Sequence, residues 1–141
     1  LDIVGLRLPL ILGPGLWYQG AASAIADVFT AARSGEAARI AFHDQPVDLM
    51  HVADVADAVL AVLRHPGALD PVYNLKGFEA SLTDLIAAVE RLVPDARIAL
   101  DHIEPALLFP LIDGGRLAAA TGFIARHDLH GLVRALLFPE S

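Results

Sequence analysis

Apolar residues follow two alternating patterns along the chain. Short, nearly continuous apolar runs, partly β-branched, alternate with stretches in which apolar residues recur every three or four positions. The first pattern is typical of strands buried on both faces of a parallel sheet, and the second of helices with one buried face. The alternation predicts an α/β fold. The predicted strands are 3–12, 38–42, 47–52, 72–75 and 97–100, and the predicted helices are 21–33, 54–63, 81–92, 115–121 and 129–137.

Turn and capping residues set several of these boundaries. The Gly-Pro-Gly run at 13–15 ends the first strand, and the polar run at 43–46 joins the next two. Ser81 is the predicted N-cap of its helix, and Asp84 follows three residues later in a near capping box. The helix that begins near Asp54 ends at His-Pro-Gly, 65–67.

The composition predicts a part of a larger fold. Of the 141 residues, 55% are hydrophobic and 19% are charged, and the mean hydropathy is +0.54. Apolar residues make up roughly 45–50% of ordinary globular chains. The longest uncharged stretch, 8–26, is interrupted by prolines and glycines, so it does not predict a membrane-spanning helix. The chain starts at Leu1 and enters a strand at once, which also leads us to expect a fragment.

Charge and cysteine content exclude several classes of function. The formal net charge is −7 without a run of Lys or Arg, which opposes binding to nucleic acid or to anionic membranes. The absence of cysteine excludes disulfides, thiolate catalysis and cysteine-ligated metals. The six histidines show no metal-binding spacing. Because no signal peptide is recognisable, we expect a cytoplasmic protein.

Four segments in the same order carry a resemblance to a known family. R-L-P-L-I-L-G-P-G at 7–15 is similar to R-x-P-N-V-Y-G-P-G, and V-D-L-M-H-V-A-D-V-A-D-A at 47–58 is similar to R-D-F-V-H-V-D-D-V-A-x-A. V-Y-N-L-K-G at 72–77 and D-G-G-R-L-A-A-A-T-G-F at 113–123 complete the series. Together they resemble the extended short-chain dehydrogenase/reductases of the NAD-dependent epimerase/dehydratase type.

The resemblance implies that residues 1–141 form a single partial domain, the C-terminal, substrate-binding half of a Rossmann-like fold. This half contains a late parallel strand and a small α/β substrate lobe, and the N-terminal nucleotide-binding half is missing. The glycine-rich loop and the catalytic Tyr-x-x-x-Lys pair belong to that missing half. Consistently, the chain has no G-x-x-G-x-x-G sequence, and neither Tyr18 nor Tyr73 has a lysine four residues later. We therefore expect no catalytic residue here and no cofactor bound to this part, although the full-length parent uses NAD or NADP.

The resemblance also implies a cofactor-facing segment. Pro9, Leu10 and Ile11 lie where the family's backbone closes over the nicotinamide ring, at the carboxyl end of a parallel strand. A plain buried strand that ends at a turn explains the same residues equally well in an isolated fragment.

The substrate-binding residues implied by the resemblance are Gly15, Trp17, Tyr18 and Val47. The first three lie in the loop that leads into the family's substrate pocket, although an aromatic pair packed under a loop is an equal alternative. Val47 stands where enzymes acting on nucleotide sugars place an arginine against the diphosphate. Because valine cannot neutralise a phosphate, we expect a small, non-nucleotide alcohol, ketone or sugar derivative as the substrate.

Other polar residues have structural interpretations. His51 is expected to end a strand with its ring bonded to backbone, and Asp54 to favour the first helical turn through its charge. No serine or cysteine accompanies them, so no catalytic triad is predicted. We expect Arg7 to pair with Asp48 and His43 to lie on the solvated surface.

The predicted function follows from the resemblance. The parent is expected to be an NAD(P)-dependent epimerase/dehydratase or oxidoreductase, and this part is expected to be inactive alone. The unpaired flank of its first strand predicts a homo-oligomer. The alternative is a self-contained, non-catalytic binding or dimerisation module.

Overall fold

The structure is a computed structural model that describes residues 3–15, 20, 23–105, 108 and 110–139. Within these residues the chain forms seven strands and five helices. The strands are β1 (Gly5–Arg7), β2 (Leu10–Leu12), β3 (Ala38–Phe42), β4 (Val47–His51), β5 (Val72–Asn74), β6 (Phe78–Ala80) and β7 (Ile98–His102). The helices are α1 (Ser23–Ser34), α2 (Val52–Arg64), α3 (Leu82–Leu92), α4 (Gly115–Thr121) and α5 (Leu129–Leu137).

The strands form three small sheets that are mainly parallel. β1 pairs with β5 and β3 pairs with β7, both in parallel. β4 is the central strand of the third sheet, parallel to β2 and antiparallel to β6. The predicted α/β class with parallel strands is confirmed, and the helices α3, α4 and α5 occupy their predicted positions.

The first predicted strand is divided between two sheets. β1 pairs with β5, and after Leu8 and Pro9 the chain continues as β2 on the edge of the sheet around β4. Proline has no backbone N–H and a fixed φ, so it interrupts a strand ladder. The prediction of one continuous strand was therefore wrong, and Pro9 marks the point where the chain leaves one sheet for the other.

Two hydrophobic cores lie on opposite sides of β4, which is buried at all five positions. Leu49 joins a large core with α1, α3 and α5, where Val28, Val89 and Val133 have no solvent exposure. Met50 faces a smaller core beneath α2, α4 and β5. Consecutive strand residues point to opposite faces, which explains why an uninterrupted apolar run serves both cores.

One apolar surface remains open. The helical spacing of Val55, Val59 and Val62 predicts that all three face the core, but Val59 is exposed while Val55 and Val62 pack against the smaller core. A groove of about 990 Å³ runs beside α2 and β1, and Ile3 (70% exposed) and Leu63 (74% exposed) line it. In the part of the chain that the structure describes, no helix combines the length and hydrophobicity that crossing a membrane requires.

Candidate functional site

The three residues predicted to face the cofactor lie at the switch between two sheets. Pro9 separates β1 from β2, and Leu10 and Ile11 are the first two residues of β2. Leu10 packs against the large core and Ile11 against the smaller one, and all three remain partly exposed. Their partial exposure leaves some apolar surface for a ligand, and the cofactor role stays a prediction.

The predicted substrate residues are distributed along the same strand pair. Gly15 has a φ of +80°, a conformation that favours glycine, and it lies in the turn after β2. Trp17 and Tyr18 lie outside the described residues. Val47 lies at the start of β4, two residues before the partner of Leu10, and only 3% of its surface is exposed. It therefore belongs to the large core, near the Pro9 end of the pair, and its substrate role stays a prediction.

A buried carboxylate follows Val47 in the sequence. Asp48 accepts a hydrogen bond from the Gly77 N–H at 3.2 Å, and burial raises its pKa although this bond and the nearby Lys76 act in the opposite direction. Arg7 is exposed and makes no ion pair with Asp48, so the predicted pair was wrong. The Gly77 N–H engages Oδ1 of Asp48, while Oδ2 is buried without a hydrogen-bond partner among the described residues.

Gly77 is required at this position by close backbone packing. A Cβ placed on it would lie 1.9 Å from the carbonyl oxygen of Leu49. This contact brings the loop after β5 directly onto β4 and places Lys76 beside Asp48. The Lys76 ammonium donates to Glu79 at 2.6 Å, and this hydrogen bond raises the pKa of Lys76.

A small cavity lies at the carboxyl end of β5. Its volume is about 270 Å³, with Asn74, Lys76 and Asp113 among the polar lining and Leu117 and Phe123 among the apolar lining. The Asn74 amide donates to the Asp113 carbonyl at 3.3 Å, and the Asp113 carboxylate accepts from the Gly115 N–H at 2.8 Å. Polar groups at the rim of an apolar pocket suit a small polar ligand. The sequence analysis did not identify this cavity, because its residues come from segments about 40 positions apart.

A cluster of two histidines and one aspartate occupies the start of α2. The His51 Nδ1 accepts from the Ala53 N–H at 3.1 Å, so its ring caps the helix. Asp54, fully buried, accepts from the Arg126 and His127 N–H groups at 3.2 and 3.1 Å. The His127 Nδ1 lies 3.0 Å from the same carboxylate, and its ring stacks on His51 with centroids 4.1 Å apart. The predicted backbone bond of His51 and the first-turn position of Asp54 are confirmed.

The environment of this cluster shifts two pKa values. Burial lowers the pKa of His51, and His127 lowers it further, while Asp54 acts in the opposite direction. Burial acts to raise the pKa of Asp54, but the hydrogen bonds from the His127 ring and from the two backbone N–H groups outweigh it and lower the pKa. Asp54 is therefore held as an anion at neutral pH, and His51 is held neutral.

The prediction that His43 is solvated was wrong. Its ring is 6% exposed, stacks on Phe42 with centroids 4.2 Å apart, and accepts from the Gln45 N–H at 3.3 Å. The adjacent Asp44 carboxylate accepts from the Thr83 N–H and hydroxyl at 2.8 and 2.7 Å. These bonds tie the turn that contains His43 to the start of α3.

Two strand-to-helix junctions lack a phosphate-binding loop for a dinucleotide, whereas the β2–α1 junction carries Gly13, Gly15 and Gly20 and includes residues outside the described ones. β4 runs directly into α2 with His51 as the cap, and β6 runs into α3 with Ser81 as the cap, so neither junction has the glycines that allow backbone to approach a pyrophosphate. Tyr73 is buried and its hydroxyl accepts from the Asp70 N–H at 2.9 Å. Among the described side chains, no group of three or more metal-ligating residues is placed to hold a metal ion.

The family is shown by comparison with known proteins. The family model described as NAD dependent epimerase/dehydratase family matches residues 1–75, more than half of the chain. The chain therefore belongs to the NAD-dependent epimerase/dehydratase family. No curated protein matches it.

Solved structures of similar fold include two threonine dehydrogenases. A partial consensus L-threonine 3-dehydrogenase has a TM-score of 0.84 at 21% identity, over 96% of this chain and 48% of that one. The holo form of the GalE-like L-threonine dehydrogenase from Cupriavidus necator has a TM-score of 0.83 at 23% identity, over 96% and 47%.

A third similar structure contains a cofactor. RMD from Pseudomonas aeruginosa complexed with NADPH has a TM-score of 0.73 at 26% identity, over 94% of this chain and 46% of that one. The chain thus spans about half the length of these proteins. The predicted fold, part of a Rossmann-like extended short-chain dehydrogenase/reductase, is confirmed.

Proposed function

We propose that this chain forms the substrate-side wall of an NAD(P)-dependent oxidoreductase or epimerase/dehydratase, and that it is inactive without a nucleotide-binding half. The observation that carries the proposal is the match to dehydrogenases over 96% of this chain but only about half of theirs. The sequence has no G-x-x-G-x-x-G run, and the β4–α2 and β6–α3 junctions have no glycine-rich loop, which supports the proposal, since the dinucleotide then has to be held by other residues.

The substrate is proposed to be a small, non-nucleotide alcohol, ketone or sugar derivative. Val47 offers no charge to a diphosphate, and Lys76 at the rim of the small cavity is already paired with Glu79. Similar pairs engage Arg116 with Asp70 and Arg126 with Asp57. A cavity of about 270 Å³ suits a small molecule better than a nucleotide sugar.

The open apolar surface is proposed to receive the nucleotide-binding half. Within the described residues β1 pairs only with β5, so its other edge is open, and the groove beside it exposes Ile3, Val59 and Leu63. An open strand edge beside an apolar groove suits the packing of a further strand and helix. Without that cover the same surface drives self-association, so we propose that the isolated chain is a homo-oligomer and that its site of action is the cytoplasm.

A calorimetric titration of the isolated chain with NADH and NADPH tests the proposal. We expect no saturable binding of either cofactor, because the chain has no G-x-x-G-x-x-G sequence to hold a pyrophosphate. Tight binding with one cofactor per chain is the contrary result.

A self-contained binding or dimerisation module is the second candidate, and the large closed core favours it. If the chain is such a module, adding a nucleotide-binding half of the family leaves its oligomeric state unchanged. The leading proposal instead requires a mixed complex, which sedimentation velocity detects.

A further inference from the structure

We propose that His51, Asp54 and His127 form an acid-sensitive clamp that holds residues 123–128 on the start of α2 and releases them when His51 takes up a proton. The segment that the clamp holds includes Phe123 of the small cavity, and the clamp joins parts of the chain more than 70 positions apart.

The anionic part of the clamp is Asp54. Its two carboxylate oxygens accept the backbone N–H groups of Arg126 and His127 and face the His127 ring nitrogen. Three donors from one short segment converge on a fully buried carboxylate, so the segment has one defined position relative to α2. The Arg126 guanidinium adds an exposed ion pair with Asp57, one turn along the helix.

The titrating part of the clamp is His51. Its Nδ1 accepts the Ala53 N–H, so this nitrogen has to be unprotonated, and its Nε2 is buried without a hydrogen-bond partner among the described residues. A proton on Nδ1 would replace an acceptor by a donor that faces another donor, and the first turn of α2 would lose its cap. A positive charge at a helix N-terminus is also unfavourable.

The surroundings of the His51 ring decide the direction of the switch. The charged or titratable neighbours on the elements packed against it are Asp54 on α2 and His127 on the 123–128 segment. β2, which pairs with the end of β4 at Leu12, contributes only apolar residues. Asp54 attracts a proton, but its oxygens are engaged by the 126–127 segment, and the His127 ring, whose centroid lies 4.1 Å from that of His51, acts to lower the pKa of His51. The burial of the His51 ring also lowers its pKa in the closed state.

Proton linkage gives the sign and the size of the effect. A histidine whose pKa is lowered in the closed state stabilises that state above its ordinary pKa of 6.5, and this stability is lost as the pH falls below 6.5. For one proton, the opening constant rises by at most about tenfold between about pH 7.5 and about pH 5.5.

Amide hydrogen exchange of the isolated chain tests the clamp. After correction for the intrinsic exchange rate at each pH, the Ala53, Arg126 and His127 amides are expected to lose protection over this range, by at most about tenfold. The asparagine in His51→Asn can cap the helix but does not titrate, so the protection of these amides in this variant is expected to be independent of pH. His130→Asn is the matched control, because His130 is exposed on α5, and it should behave as the wild type.

Two results overturn the proposal. One is protection of these amides that does not change with pH in the wild type, and the other is an unchanged pH dependence in His51→Asn. If that variant does not fold, NMR titration of the His51 ring in the wild type decides the matter. The clamp requires a midpoint below 6.5 that coincides with the loss of amide protection, whereas titration at the ordinary value with full protection contradicts it.

Discussion

Replacing Asp54 by asparagine removes the buried anchor of the C-terminal segment. The carboxylate is fully buried and faces three donors, the Arg126 and His127 N–H groups and the His127 ring. An asparagine side chain keeps one acceptor oxygen but turns an N–H₂ group towards the remaining donors. Hydrogen bonds to charged groups contribute about 1.5–3 kcal/mol each, and they share one acceptor here, so we expect a loss of about 2–4 kcal/mol in the free energy of unfolding.

The matched control for this experiment is Asp57→Asn. Asp57 lies one turn further along α2 and pairs with the same segment through Arg126, which is largely exposed, while Asp57 itself is partly exposed. Exposed ion pairs contribute about 0–1 kcal/mol, so the control should lose less than about 1 kcal/mol. Urea unfolding followed by circular dichroism at neutral pH measures both values. Equal losses for the two variants would refute the reasoning that burial makes Asp54 the anchor.

Three further predictions concern other parts of the molecule. Gly77→Ala places a Cβ 1.9 Å from the Leu49 carbonyl oxygen, so we expect the free energy of unfolding in urea to fall by more than about 3 kcal/mol. In the control Gly67→Ala, the Cβ lies 3.3 Å from the His65 ring, and the free energy of unfolding should change little. Similar losses in the two variants would contradict the close approach of Gly77 to Leu49. Burial raises the pKa of Asp48 above 3.8, so the contribution of Asp48 to stability falls as the pH rises through the raised value. Asp48→Asn should therefore gain stability relative to the wild type from acid to neutral pH. A difference in the free energy of unfolding that stays constant with pH argues against this. Leu63→Lys should reduce self-association in sedimentation velocity and change the free energy of unfolding by less than about 0.5 kcal/mol. Ile124→Lys, at an equally exposed position outside the groove, should leave self-association unchanged. Equal effects of the two substitutions on self-association would exclude the groove as the associating surface.

Local sequence signals were sufficient for most of the fold. The capping box at Ser81 and Asp84 is present in the structure, with bonds of 3.2 and 2.9 Å, because a cap depends only on residues close in sequence. The division of the first strand at Pro9 was missed, although proline carries a local signal for it. β6 was missed because three residues are too few to show a period.

The candidate site was less predictable because it depends on distant contacts. Nothing near Asp54 in the sequence indicates that His127 binds it, since the two are 73 positions apart. His43 is buried beside Asp44, which accepts a hydrogen bond from Thr83, 39 positions later. The family resemblance identified Pro9, Leu10 and Ile11 as one segment, but only the structure shows that this segment lies between two sheets.

Hydride transfer is proposed to need polypeptide outside this chain. The most direct test is the NAD⁺- or NADP⁺-dependent oxidation of small hydroxy compounds, L-threonine included, by the purified chain alone and after it is joined to a nucleotide-binding half of the family. The account predicts reduced nicotinamide only from the joined protein. Turnover by the 141 residues on their own would contradict it.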